Sequence, residues 1–397
     1  MKLKKDILVF GTGSHFIKHK EKIDIQFNLL AFMDNNHEKI GSEFCNKQIV
    51  SPEDYLQYDF DYILVASSFE CEIIQQLMRL GVEVNKIITL NYFLNFKKAS
   101  VLSHCNTSKL FYSAVGTNGC NLSIIILSYN RADMTVRLLK SIESKITNFS
   151  GQIIVFDNCS EPDQLTAIKD YISHSSDKKI LLIEADTNYG VAKARNLATG
   201  YANKDWLFFI DNDIYFTDNP LPTINTVIEN HNALYINLPL LNSDGINLYA
   251  YGGSVVYDDI NNIVRIESFF SENSSKEYVE QIVNGRVFFG SFVFGGTSVY
   301  HKDSFISTGM FDDSMFIGFE DVDYSIRLLQ RGVKIANAPV FCMIHDHTDN
   351  TYKEYNNVRY SNEIIKKSAS VFFEKHKCNI YSDNVEKWLS NRSASSN

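Results

Sequence analysis

No two cysteines in this sequence are spaced as Cys-x-x-Cys. The seven that exist (Cys45, Cys71, Cys105, Cys120, Cys159, Cys342 and Cys378) are scattered and odd in number. That argues against a disulfide framework or a cysteine zinc site and suits a reducing compartment. Basic charge is not in excess either: the formal net charge is −9. Residues 1–110 balance at 13 basic and 13 acidic side chains, so the whole deficit falls on the remainder. A nucleic-acid binder normally shows a basic face, so no nucleic-acid partner is expected. Long apolar runs are also missing. The longest uncharged, aromatic-rich stretch, residues 287–300, is 14 residues interrupted by glycine and cannot span a bilayer. The opening "MKLKKDILVF" has a basic start but a four-residue apolar run, too short for a secretory leader. Together these absences predict a soluble, cytoplasmic protein, compatible with peripheral contact at the inner face of a membrane.

What is present is enough for two domains. The chain has 397 residues, 45% of them hydrophobic, an ordinary share for a buried core. Residues 4–95 alternate short apolar runs ("DILVFGTG", "NLLAFMDNN", "FDYILVASS", "KIITL") with a helical pattern, "EIIQQLMRLGVEV". That alternation predicts a parallel α/β sheet. Residues 99–120 are small and polar without a period and read as a linker. A second α/β unit opens at "NLSIIILSYNR" and runs through three further strand–helix alternations to "WLFFI". Residues 235–300 are richer in strand and loop, with the glycine pairs Gly252–Gly253 and Gly295–Gly296. Residues 351–397 are polar and helical in pattern. The expected organisation is 1–98, a linker at 99–120, 121–350, and a helical extension at 351–397.

Four stretches carry chemistry. In "WLFFIDNDIYF", Asp211 and Asp213 are separated by one residue, so at a strand end both side chains are expected on one side. Paired carboxylates near a core need a cation, and hard oxygen ligands suit Mg²⁺ or Mn²⁺. A polar turn explains the same residues. In "IIVFDNCS", Asp157 ends another strand, where ligands of open α/β sheets bind. There it could accept the imide N–H of uracil or thymine, or cap a turn. In "GFEDVDYSIRLLQRG", Val322, Ile326 and Leu329 are at helical spacing, with Gly332 beyond the end. Glu320 and Asp321 therefore fall at a helix N-terminus, which favours acids in any case. Asp321 is also placed to act as a general base on a hydroxyl. Finally, "APVFCMIHDH" delivers His345 and His347, either of which could complete a metal shell as neutral imidazole.

Residues 121–350 resemble a family 2 glycosyltransferase of GT-A fold, an inverting enzyme dependent on a nucleotide-sugar. The resemblance rests on ordered motifs: "LSYNR", "DNCS", "TNYGVAKARNLA", "DND", "GFEDVDYSIRL" and a downstream histidine. It implies that Ser128, Asn130 and Asp157 contact the nucleoside. Asn188, Gly190, Lys193 and Arg195 would lie along the nucleotide, with Arg195 on phosphate or base. Asp211 would reach the ribose or a metal-bound water, and Asp213 and His345 would ligate Mn²⁺ or Mg²⁺. His345 is favoured over His347, which stays an alternative because Gly does not follow the histidine here. Asp321 would be the catalytic base and Glu320 would hold the acceptor. The QxxRW motif of processive membrane synthases is absent, which favours an enzyme adding one or a few sugars. The implied donor is a UDP-sugar, with dTDP presenting the same base edge. The implied acceptor is a glycan or lipid-linked glycan of a bacterial surface polysaccharide.

The first unit raises a rival. "VFGTGSHF", with Asp34 lying 23 residues after Gly11, resembles a dinucleotide fingerprint, but its third glycine position is Phe16. The pattern resembles Rossmann-like modules attached to bacterial sugar-modifying enzymes. A docking or oligomerising role is one expectation. NAD(P)-dependent sugar oxidation in this module is the alternative, although it lacks a Tyr-x-x-x-Lys pair.

Overall fold

A computed structural model describes residues 4–67, 69, 73, 76–77, 79–82, 86–90, 121–175, 180–258, 260–271, 274–346 and 353–394. The linker expected at 99–120, part of the helix expected at 72–84, and His347 lie outside the described residues. The chain divides into two units, Met1–Val101 with Gln281–Asn284, and Leu102–Glu280 with Gly285–Asn397.

The first unit holds β1 (Lys5–Phe10), β2 (Phe27–Met33), β3 (Glu43–Phe44), β4 (Lys47–Val50), β5 (Tyr62–Val65) and β6 (Ile87–Thr89). Their order in the sheet is β3-β4-β2-β1-β5-β6. All neighbours are parallel except the β3–β4 hairpin. The parallel strands are near-continuous apolar runs because both faces are covered. The helix Ser14–Gln26 packs on one face through Phe16 and Ile23, both fully buried. Phe16 meets Phe32 edge to face at 4.7 Å. The residue that departs from the dinucleotide fingerprint is therefore a core anchor. Gly11, at φ +113°, is needed for a different reason: a Cβ there would sit 2.7 Å from the Ala66 carbonyl oxygen.

The second unit is built on β7 (Leu122–Ser128), β8 (Gln152–Asp157), β9 (Ile180–Glu184) and β10 (Trp206–Asp211), which are mutually parallel. The chain continues through β11 (Ile214–Phe216), β12 (Tyr235–Asn237), β13 (Leu240–Leu241), β14 (Leu248–Ala250), β15 (Gly253–Asp258) and β16 (Ile263–Ser268). It ends its strands with β17 (Phe288–Gly290), β18 (Thr297–His301), β19 (Ile335–Asn337) and β20 (Met343–His345). The large sheet runs β17-β19-β12-β18-β10-β7-β8-β9, and β18 enters antiparallel between β10 and β12. A smaller sheet, β11-β20-β13-β14, brings His345 opposite Ile214. The strand delivering His345 is short, three residues long.

Alternate residues of the central strands feed cores on opposite faces. Ile124, Phe208 and Val155 face Leu138 and Ile142 of the helix Ala132–Lys145. Ile125, Ile154 and Phe209 face Ala194, Phe305 and Tyr324. The extension is helical, at Lys353–Arg359, Asn362–His376 and Asp383–Ala394. It packs through Phe372 and Ala369 against Val322 and Met315, and through Ile365 and Leu389 against Ile317. A buried ionic latch adds to this: Asp323 meets Arg327 at 2.8 Å, Lys375 at 2.8 Å and His376 at 2.8 Å.

Candidate active site

Strand register decides which side chains meet. Asp211 is level with Leu127 and Ser128 with Asp157, so three strand ends come to one edge of the sheet. A cavity of about 300 Å³ opens there. Of the residues singled out in the sequence, Asn188, Gly190, Arg195, Asp211, Glu320 and Asp321 line it.

Arg195 organises this wall. Its Nη2 donates to Asp211 Oδ1 at 2.6 Å, and its Nη1 lies 3.4 Å from Glu320 Oε1. Burial disfavours its charge, but Asp211 and Glu320 outweigh that and raise its pKa. The glycine pair Gly295–Gly296 makes the approach feasible. A Cβ at 295 would sit 2.7 Å from Arg195 Nη1, and one at 296 would overlap the Asp211 carboxylate. Gly190 is similarly constrained: at φ +75° it lies against the Phe316 carbonyl, to which Val191 N–H donates at 2.7 Å. Glu320 Oε2 is buried without a hydrogen-bond partner. Asp321 Oδ1 accepts from Val322 N–H at 2.8 Å. Burial first, and then the Glu320 carboxylate, push the Asp321 pKa up to about 7.

Asp211 and Asp213 are held by different arginines, although both act on the charges of Arg131 and Tyr355. β10 ends at Asp211, and the chain turns through Asn212 and Asp213 before β11, so strand alternation does not apply. Asp213 does not line the cavity, but its partner Arg131 does. Its Oδ2 accepts from Arg131 Nη1 at 2.9 Å, and its Oδ1 lies 3.3 Å from His345 Nε2. The cation beside the paired acids is thus arginine in each case: Arg195 for Asp211 and Arg131 for Asp213. Arg131 also donates to Asn212 Oδ1 at 2.6 Å and stacks 3.8 Å from the Tyr355 ring centre. Among the described residues no three His, Cys, Asp or Glu side chains are grouped to hold a metal. Asp213 and His345 offer a carboxylate and an imidazole side by side, donor chemistry that fits Mn²⁺ or Mg²⁺ with other ligands coming from substrate.

The remaining nucleoside contacts implied by resemblance are engaged inside the protein. Ser128 Oγ pairs with Thr135 Oγ1 at 2.9 Å. Asn130 Oδ1 accepts from Glu161 N–H at 2.7 Å. Both Asp157 oxygens accept from Ser160, at 2.6 and 3.0 Å, and burial raises its pKa. Lys193 lies 4.8 Å over the Tyr189 ring. None of these four lines the cavity. Asn188 does, bracing Asn158 and the Gly190 N–H at 2.8 and 2.9 Å.

Sequence reasoning missed Arg131, although "LSYNR" contains it, and missed the part of Gly295–Gly296. Tyr355 and Arg359 of the extension also line the cavity without having been anticipated. In the first unit, Asp34 is closed off: it accepts from Thr12, from Asn36 N–H at 3.0 Å and from Lys39 Nζ at 3.0 Å.

Residues 123–286 match the family model described as Glycosyl transferase family 2, and residues 3–88 match the model described as C2185-like, N-terminal. An uncharacterized glycosyltransferase of Haemophilus influenzae is 32% identical over 117 residues, spanning 29% of this chain and 37% of that protein's length. A dTDP-rhamnosyl transferase of Shigella flexneri is 23% identical over 239 residues, 59% of this chain and 71% of the relative. Among solved structures, GalNAc-T7 with UDP, GalNAc and Mn²⁺ aligns at TM-score 0.45 and 16% identity, over 69% of this chain and 56% of that one. No helix among the described residues is long and apolar enough to cross a membrane.

Proposed function

Since residues 123–286 are a glycosyl transferase family 2 domain, we propose that the second unit moves a sugar from a nucleoside diphosphate donor to a hydroxyl of a glycan acceptor, inverting the anomeric centre. One observation carries this reading: Asp321, its pKa pushed to about 7, lines the same cavity as the Arg195–Asp211 pair. A base with a pKa near the working pH is efficient at proton removal.

The residues divide the work as follows. Asp321 takes the proton of the acceptor hydroxyl as that oxygen bonds to the anomeric carbon. The bond from that carbon to the diphosphate oxygen breaks, and the electron pair leaves with the nucleoside diphosphate. Glu320, fixed by Arg195 at 3.4 Å, keeps a second carboxylate beside the base and holds the acceptor. Asp211, held by Arg195, lies along the donor. Asp213 and His345 would hold Mn²⁺ or Mg²⁺, and such an ion would neutralise the charge growing on the leaving diphosphate. The dTDP-rhamnosyl transferase of Shigella flexneri supports a pyrimidine donor; a UDP-sugar is the alternative donor, and a bacterial surface glycan is the proposed setting.

The test is a product screen. Full-length protein is incubated with UDP-, dTDP- and GDP-sugars, with Mn²⁺ or with EDTA, and product configuration is read by NMR. The expected result is inverted product from a UDP- or dTDP-sugar, lost in EDTA. A retained anomeric configuration would sink the role of Asp321.

A further inference from the structure

Three guanidinium groups line the cavity among the described residues: Arg131, Arg195 and Arg359. Two are paired with acids or amides. Arg131 is on Asp213 and Asn212 at 2.9 and 2.6 Å, and Arg195 is on Asp211 and Glu320 at 2.6 and 3.4 Å. Arg359 differs. No carboxylate of the described residues lies within ion-pair distance of it, and its guanidinium lies 5.7 Å from the Tyr360 ring centre. Burial works against its charge, and Tyr355, Tyr360, Glu320 and Asp211 outweigh that and raise its pKa, but no carboxylate closes an ion pair on it, so the guanidinium can take an anion that enters the cavity.

The helix Lys353–Arg359 presents this cation deliberately. Tyr355 and Arg359 are four residues apart, on one helix face. Both line the cavity, and Tyr355 is the ring on which Arg131 stacks. The same wall continues through Ile365, Val385 and Leu389 of the following helices. The family match ends at residue 286, well before any of these side chains.

We propose that the helical extension is part of the substrate site, and that Arg359 binds the diphosphate of the nucleotide-sugar donor. This rests on the donor reading above. The guanidinium fork suits phosphate oxygens in two-point contact, which Lys cannot match. A phosphate on the acceptor would present the same chemistry, so the experiment separates the two sources.

Calorimetry on the full chain would compare wild type with Arg359→Gln, using UDP, dTDP, uridine and thymidine. Nucleoside diphosphate affinity should fall about tenfold or more, while nucleoside affinity is unchanged. Equal diphosphate affinity in both proteins overturns the proposal. So does a variant that keeps diphosphate affinity but raises KM only for a phosphorylated acceptor. Should Arg359→Gln fail to fold, hydrogen exchange of residues 353–360 in wild type gives the answer. UDP should protect this segment where uridine does not, and equal exchange overturns the proposal. If wild type binds no nucleoside diphosphate at all, the donor reading itself has failed, a result distinct from loss of Arg359's part alone.

Discussion

Both units end a parallel sheet in an aspartate, and they treat it oppositely. In the first, Asp34 is capped by Thr12, Asn36 and Lys39, while Phe16 fills the core beneath the loop. In the second, Asp211 stands in a cavity wall with a buried arginine behind it, and Asp321 lines the same cavity, its pKa pushed up by burial and by Glu320. The difference teaches that an acid at a strand end is only a candidate. What makes it a site is space in front of it and a charge environment that the protein itself leaves unsettled.

The contrast can be broken most forcefully by paired substitutions. Asp321→Asn should lower kcat by about 10²–10⁴ with nucleotide binding retained. Asp34→Asn should leave turnover within about twofold, as expected away from reacting groups. Steady-state kinetics on both variants would decide, and comparable losses would erase the distinction between the units.

Next in size is stability. Removing Arg195 leaves Glu320 buried without a cation, so Arg195→Gln should destabilise the second unit by roughly 3 kcal/mol. Lys39→Gln breaks only an exposed pair and should change stability by less than about 1 kcal/mol. Urea unfolding with the two transitions resolved would sharpen the comparison.

pH gives a third test. The catalytic base must be unprotonated, so kcat should rise with pH up to about 7 and level off above. Asp323 is shifted the opposite way, downward, and acts on stability at lower pH. Burial works against its charge, but His376, Arg327 and Lys375 hold its pKa at about 2. A depressed carboxyl stabilises the fold above its unfolded value near 3.9. That contribution fades as pH drops from there through about 2. A melting series from pH 6 to pH 2 on wild type and His376→Ala should show the steeper acid loss in wild type. The smallest expected effect is with NAD, which should not shift the first unit's melting temperature; clear stabilisation would reopen the oxidoreductase alternative.

Much of this was legible in the chain. The apolar runs that become β7, β8 and β10 are buried on both faces, so they announce themselves without periodicity. Val322, Ile326 and Leu329 mark the acidic helix, and Gly332 closes it at φ +71°. What stayed hidden depends on contacts across long separations. Arg131 reaches Asp213 over 82 positions, and no local pattern reports that. Asp211 and Asp213 take different arginines, Arg195 and Arg131, which strand spacing does not report. Asp157 points into its own Ser160 turn for the reason that makes Asp common in turns. Gly295–Gly296 read as loop punctuation until Arg195 and Asp211 were seen pressed against them.

The helices at 353–394 close one side of the cavity, and on the ribosome they emerge after every strand is already made. Until then, Val322 and Ile317 lack the Ala369, Phe372, Ile365 and Leu389 side chains that pack with them, which leaves apolar surface of the kind that invites chaperones or aggregation. Catalytic competence arrives late in synthesis, and a ribosome stalled before residue 353 would release a molecule that looks folded by its sheet yet has no finished pocket.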